Sequence, residues 1–251
     1  MEKIFQKTRG LNDRIFHYCP GCGHGIAHRM VAESLEELSL LEKTVMISPV
    51  GCSVFLYWYF QTDNVQASHG RAPAVATGLK RANPGSIVVS YQGDGDLASS
   101  GTAEIIHAAA RGENFTVVFI NNAIYGMTGG QMAPTTLVGQ KSSTSPYGRD
   151  PKFAGYPIHV CEMLATLKAP RYIERTALNN VANLNKTKKA IRKALELQEK
   201  GEGFSFVEIL SPCPTNWGQS PDEAMKWLED NMIPEYPLGV FRDAKPGEVK
   251  A

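Results

Sequence analysis

The sequence has no apolar stretch near the ~20 residues that a membrane-spanning helix needs. Its most apolar run is Val54-Phe55-Leu56-Tyr57-Trp58-Tyr59-Phe60, which fits buried core or a subunit contact, and both readings stand. The start, Met1-Glu2-Lys3-Ile4-Phe5-Gln6-Lys7, lacks the apolar centre of a signal peptide, so the cytoplasm is the expected compartment and no membrane partner is expected. Charge of one sign is also missing. The 26 Lys and Arg against 25 Asp and Glu leave a net charge of +1, which gives no reason to expect nucleic acid as a partner. Cysteines are few and odd in number, five, at positions 19, 22, 52, 161 and 213. In a reducing compartment they make no disulfide framework, which leaves metal binding or plain burial. Repeats, low-complexity segments and composition breaks are absent, so a single domain over 1–251 is expected.

What is present is alternation. Strands are expected at 44–48, 86–91, 115–120, 172–176 and 204–210. Helices are expected at 24–39, 71–82, 99–111, 160–168 and 181–199. This pattern argues for an α/β architecture, a mostly parallel sheet with helices on both faces. The nearly continuous apolar strands 86–91 and 115–120 fit a sheet covered on both sides. Ligands of such sheets sit beyond the carboxyl ends of the strands. The stretch 123–156, rich in Gly, Ser, Thr and Pro, is the kind of long loop that is usually functional or disordered. The tail from about residue 234 reads as extended, and packing on a partner would suit it.

Two of those strand ends carry unusual residues. Strand 86–91 runs into Gln92-Gly93-Asp94-Gly95-Asp96, and strand 115–120 into Asn121-Asn122-Ala123-Ile124-Tyr125-Gly126. Glycines let the backbone approach a ligand, and the following helix start offers free N–H groups to phosphate. A carboxylate and an amide oxygen on adjacent strand ends suit magnesium, which completes its octahedron with diphosphate and water. Gly-Asp-Gly alone is more often an ordinary turn.

The cysteines have contexts of their own. Cys19 and Cys22 lie in His17-Tyr18-Cys19-Pro20-Gly21-Cys22-Gly23-His24; Cys52 lies in Val50-Gly51-Cys52-Ser53 and Cys213 in Pro212-Cys213-Pro214, each just after a strand. Together they supply four thiolates, suited to zinc or to an iron–sulfur cluster. Cys161, in a helical context, reads as a small buried hydrophobe. His24, His28, His107 and His159 read as structural. His17 stands near the cysteines, which already suffice as ligands.

Taken together, Gly93-Asp94-Gly95, then 25 residues, then Asn121-Asn122 resembles the thiamine-diphosphate signature, and with it the thiamine-diphosphate-binding fold. The resemblance implies that the Asp94 and Asn122 side chains and the Ile124 carbonyl bind Mg2+. It further implies cofactor contacts from Gly93, Gly95, Asp96, Gly126, Met127 and Thr128. The cysteine pattern, with His69-Gly70-Arg71-Ala72, Ala76-Thr77-Gly78 and Tyr125-Gly126-Met127-Thr128-Gly129-Gly130-Gln131, is similar to that of 2-oxoacid:ferredoxin oxidoreductase β subunits. This likeness spans about 18–217. It implies a 4Fe–4S cluster on Cys19, Cys22, Cys52 and Cys213, with Val50, Gly51, Cys52 and Ser53 also touching the thiamine. His69 and Gly70, in the same family stretch, are implied to contact the cofactor as well, and His69 is the candidate for a catalytic role.

The activity so implied is coenzyme A-dependent oxidative decarboxylation of a 2-oxoacid, with electrons passing through the cluster to ferredoxin. The glutamate that activates the aminopyrimidine is implied on an α subunit bearing the pyrimidine-binding domain, so a hetero-oligomer is expected. Any additional clusters would sit on further subunits. Some relatives that accept 2-oxoglutarate carry a lysine where this chain has Gly129. Its absence favours apolar, branched-chain substrates such as 2-oxoisovalerate, with 2-oxoglutarate and pyruvate as alternatives. The rival readings are a cluster-free thiamine decarboxylase or synthase, and a zinc-stabilised subunit without catalysis.

Overall fold

Apolar segments alternating with amphipathic ones build a layered sheet. A computed structural model describes residues 6–245. Strands β1 (Thr44–Ser48), β2 (Asp63–Gln66), β3 (Ile87–Gly93), β4 (Thr116–Asn121), β5 (Tyr172–Ala177) and β6 (Ser205–Leu210) are parallel. At one edge β7 (Gly239–Asp243) pairs antiparallel with β5. The order across the sheet is β2-β1-β3-β4-β6-β5-β7. This is the mostly parallel α/β sheet, with helices on both faces, expected from the sequence.

Side chains alternate along each strand, so every central strand feeds two cores. On one face Val89, Tyr91, Val118 and Val207 meet Val31 and Leu35 of α1 (His24–Glu37) and Ile191 and Leu195 of α6 (Val181–Glu199). On the other, Val88, Val117 and Phe206 meet Ala76 of α2 (Ala72–Ala82), Ile105 of α3 (Thr102–Ala110) and Leu164 of α5 (Val160–Ala165). Burial on both sides explains why β3, β4 and β6 read as apolar runs rather than alternating ones. Helix α6 starts where the Asn180 side chain accepts the Asn183 N–H at 2.9 Å, satisfying one of its free donors.

The aromatic run splits. Leu56, Tyr59 and Phe60 are core, while Tyr57 and Trp58 are more than a third exposed. The stretch 123–156 folds as tight turns and the single turn α4 (Pro151–Ala154). It is pinned by Arg149, whose guanidinium donates to the carbonyls of Ala133, Pro134, Thr136, Ala154, Gly155 and Tyr156. Helices α7 (Pro214–Trp217) and α8 (Pro221–Trp227) follow β6. The tail expected to lie on a partner instead returns to its own sheet as β7, and its part beyond residue 245 lies outside the described residues. Among the described residues, no helix is long and apolar enough to cross a membrane.

Candidate cofactor and cysteine site

Strands β1, β3, β4 and β6 are neighbours in that order, so their carboxyl ends form one rim. The chain leaving them carries Cys52, Asp94, Asn122 and Cys213 respectively. Cys19 and Cys22 reach the same rim from the turn before α1, where the Cys22 N–H bonds the Cys19 carbonyl at 3.1 Å. Residues far apart in sequence meet because parallel strands end side by side.

Two cavities open at this rim. The first, about 110 Å³, is lined by Val50, Gly51, Cys52, Ser53, His69, Gly93, Asp94, Gly95, Asp96, Asn122, Ile124, Gly126, Met127 and Thr128, together with His24 and Tyr125. Asp94 is buried at its back. Its Oδ1 accepts the Gly95 N–H at 2.8 Å, and its Oδ2 accepts the Ile124 N–H at 3.1 Å and the Thr135 hydroxyl at 2.7 Å. Burial pushes the Asp94 carboxyl up to about 6, against the lowering pull of these bonds. Asn122 stands beside it, its Oδ1 accepting the same Ile124 N–H at 3.3 Å. A carboxylate, an amide oxygen and a turn carbonyl in this arrangement make an oxygen set of the kind magnesium takes.

Asp96 behaves differently from its neighbour. Its Oδ1 accepts from Val50 N–H at 3.2 Å and Gly70 N–H at 2.9 Å, with His69 Nδ1 at 3.0 Å; its Oδ2 accepts from Gln92 at 2.6 Å. The carboxylate therefore braces three chain segments, and what Asp96 can still turn to a ligand is its backbone. Gly70 does not line the cavity. It has φ +76°, and a Cβ there would fall on the Ser100 backbone, so only glycine brings this loop against the helix start.

The second cavity, about 180 Å³, is ringed by Cys19, Cys22, Cys52 and Cys213. It shares Cys52, Asn122, Gly126 and Met127 with the first. Gly126 is the thin point of the partition, for a Cβ there would stand 3.1 Å from the Cys52 Sγ and 3.6 Å from that of Cys213. Burial pushes the Cys22 and Cys52 thiols up to about 12 and raises that of Cys213. Metal would therefore have to displace protons to bind. Among the described residues, no three His, Cys, Asp or Glu side chains are grouped as if around a single metal ion. His17 lines this cavity, but its nitrogens are engaged by the Tyr59 hydroxyl at 2.6 Å and the Cys52 carbonyl at 2.9 Å. Cys161 is fully buried in the α5 core, away from the four.

Comparison with known proteins gives this geometry its relatives. Residues 49–209 match the model of the thiamine pyrophosphate enzyme C-terminal TPP-binding domain. The chain is 53% identical, over 97% of its length, to the ketoisovalerate oxidoreductase subunit VorA of Methanothermobacter marburgensis, of which it spans 51%. It is 37% identical to the 2-oxoglutarate synthase subunit KorB of Methanocaldococcus jannaschii, over 88% of this chain and 80% of that one. The chain belongs to the thiamine-diphosphate-binding subunits of the 2-oxoacid:ferredoxin oxidoreductases. A solved 2-oxoglutarate:ferredoxin oxidoreductase from Magnetococcus marinus, with 2-oxoglutarate, coenzyme A and succinyl-CoA bound, superposes with a TM-score of 0.77 at 27% identity, covering 98% of this chain and 88% of that one. The chain spans about half the length of VorA, the relative it resembles at 53% identity.

For an oxidoreductase subunit of this family, several residues at the rim carry no sequence signal of their own. His24 reads as structural in the sequence, yet its ring lines the first cavity. Its Nδ1 lies 2.9 Å from the buried Tyr91 hydroxyl, and burial brings it down to about 3, so the ring is neutral. Thr135 has equally little to mark it. Only the three-dimensional pairing brings Thr135 onto Asp94.

Proposed function

We propose that this chain is the thiamine-diphosphate- and cluster-binding subunit of an enzyme that oxidises a 2-oxoacid with coenzyme A and passes the electrons to ferredoxin. The observation that carries the reading is the shared wall: an oxygen-rich cleft and a four-cysteine cavity separated by Cys52, Asn122, Gly126 and Met127. When bound, thiamine diphosphate supplies the electron sink for decarboxylation and an iron–sulfur cluster supplies single-electron transfer.

The chain's own residues divide the work. Asp94, Asn122 and the Ile124 carbonyl are fitted to hold Mg2+. The backbone of Gly93, Gly95, Asp96, Gly126, Met127 and Thr128 is fitted to cradle the diphosphate, with Val50, Gly51, Cys52 and Ser53 lining the same cleft. The fit rests on an already bent turn and on a carboxylate deprived of water. Cys19, Cys22, Cys52 and Cys213 form an all-sulfur donor set for a 4Fe–4S cluster, with no carboxylate among them to favour a harder metal. His69, 3.0 Å from Asp96 and lining the cleft, is the proposed residue to meet the cofactor or the substrate. An α subunit is proposed to supply the aminopyrimidine-side glutamate, further subunits any additional clusters, and the cytoplasm is the proposed compartment.

A branched-chain acid such as 2-oxoisovalerate is the favoured substrate. Gly129 offers no cation to a distal carboxylate, and the ketoisovalerate oxidoreductase relative is 53% identical. The test is anaerobic purification of the assembled enzyme, metal and thiamine analysis, and a coenzyme A-dependent assay of ferredoxin reduction across a panel of oxoacids. We expect iron, bound thiamine diphosphate and the highest kcat/KM with 2-oxoisovalerate. Zinc without iron would sink the cluster, and a preference for 2-oxoglutarate or pyruvate would sink the substrate.

A further inference from the structure

Behind the rim lies a buried charge pair. Glu208 on β6 and Asn121 at the end of β4 are fully enclosed, as is the Arg175 side chain on β5. Glu208 Oε2 accepts the Arg175 Nε–H at 2.9 Å, and Oε1 accepts the Asn121 amide N–H at 2.8 Å. The Asn121 oxygen then accepts the Ala123 N–H at 3.1 Å. A carboxylate only accepts and a backbone N–H only donates, so these two partners fix which way the Asn121 amide faces. Ala123 has φ +56°, a left-handed conformation that costs an L-residue energy and persists only where its surroundings impose it. It sits between Asn122 and Ile124.

Arg175 has no freedom to drift. It donates to both Glu162 oxygens, at 2.9 and 2.5 Å, and lies 5.3 Å from the Tyr236 ring and 4.8 Å from that of Phe241. The same Tyr236 donates to the Thr135 carbonyl at 2.6 Å, and Thr135 holds Asp94. Both halves of the oxygen set thus lead back to one node. Buried ion pairs are poor stabilisers compared with well-packed apolar residues, so stability alone gives this pair little purpose.

We propose that Glu208, anchored by Arg175, is a positioning residue: through Asn121 it imposes the left-handed turn that presents Asn122 and the Ile124 carbonyl to a magnesium-bound diphosphate. This rests on the cation reading of Asp94 and Asn122 given above. Removing one buried charge could unfold the chain, so the test uses charge-neutral pairs in the assembled enzyme. Arg175→Met/Glu208→Gln keeps an acceptor for Asn121, whereas Arg175→Met/Glu208→Leu does not. Asn121→Ala, with the ion pair intact, is the third variant. Mg2+-dependent thiamine diphosphate binding is read by equilibrium dialysis, and hydrogen exchange at the Ala123 amide is read without cofactor.

The Gln pair should bind within ~3-fold of native, while the Leu pair and Asn121→Ala lose ~30-fold or more, the size expected for leaving a buried donor without its acceptor. The Ala123 amide should exchange faster in those two variants. Equal affinity for the two pairs, or unchanged Ala123 exchange in the Leu pair, overturns the positioning role. Asp94→Ala separates the two levels. If it keeps the cofactor, the cation reading itself fails and the proposal goes with it. If it loses the cofactor while the Leu pair binds normally, the positioning role alone is overturned.

Discussion

Asp94 combines deep burial with three hydrogen bonds from the protein, two of them from its own turn and the one after β4. The third, from Thr135 at 2.7 Å, comes from a residue 41 positions away. Burial favours the neutral acid and the hydroxyl favours the carboxylate, so Thr135 helps keep Asp94 in the form a cation needs. Thr135→Val preserves shape and removes that bond. Mg2+ affinity at saturating thiamine diphosphate should fall by ~10-fold, since a hydrogen bond to a charged group is worth ~1.5–3 kcal/mol. A Mg2+ titration with unchanged midpoint would dismiss this role. The contrast between Asp94 and Thr135 also marks what the sequence discloses. The paired motifs are legible because short turns at strand ends carry a fixed spacing. Their supports are not, for Thr135 is 41 residues from Asp94 and Glu208 is 87 from Asn121. Nothing local to either residue announces the bond.

At the scale of elements, the helices emerge from their apolar period because each buries one face against the sheet. The five strands between the sheet's edges emerge because both faces are covered. Strands β2 and β7 do not, and for the same reason: each is an edge with no fully buried residue, Asp63-Asn64-Val65-Gln66 and Gly239-Val240-Phe241-Arg242-Asp243. Pairing with a neighbour, not periodicity, makes them strands. Elements also carry charge across their ends. His159, just before α5, has Nδ1 3.4 Å from Glu162 and Nε2 3.0 Å from Glu235. The Glu162 bond raises its pKa, burial opposes, and Glu235 adds to the rise. A histidine raised in the folded state stabilises fully below its unfolded value of ~6.5 and loses that contribution as pH climbs through the folded value. With both partners a third exposed, the gain is at most ~1 kcal/mol. Native protein should therefore melt ~2–4 °C above His159→Gln at acid pH, the gap closing above neutrality. A gap independent of pH would show that the ion pairs contribute nothing.

At the scale of the whole molecule, the sheet has two unequal edges, and the one beyond β5 is closed by the chain's own last described strand. β7 pairs Tyr172 with Asp243 and Arg175 with Gly239, bulging between Ile173 and Glu174. Asp243 fastens it to Arg171 at 3.2 Å and to Lys193 at 2.5 Å. Phe241 faces the Arg175 guanidinium. Without β7, the buried strand β5 would present a bare hydrogen-bonding edge, a template for association with other chains. Arg175 would lose one of its two ring faces. A chain ended after Leu238 should then unfold ~5 °C or more below the native chain and elute partly as soluble aggregates. Val240→Lys, at a position 54% exposed, keeps the backbone pairing and should do neither. If the proposed Arg175–Glu208–Asn121 linkage operates, the shortened chain should also bind Mg2+–thiamine diphosphate more weakly than Val240→Lys does. Normal melting and a single monodisperse peak from the shortened chain would mean that β5 needs no cover, and that the edge and the cofactor rim are independent.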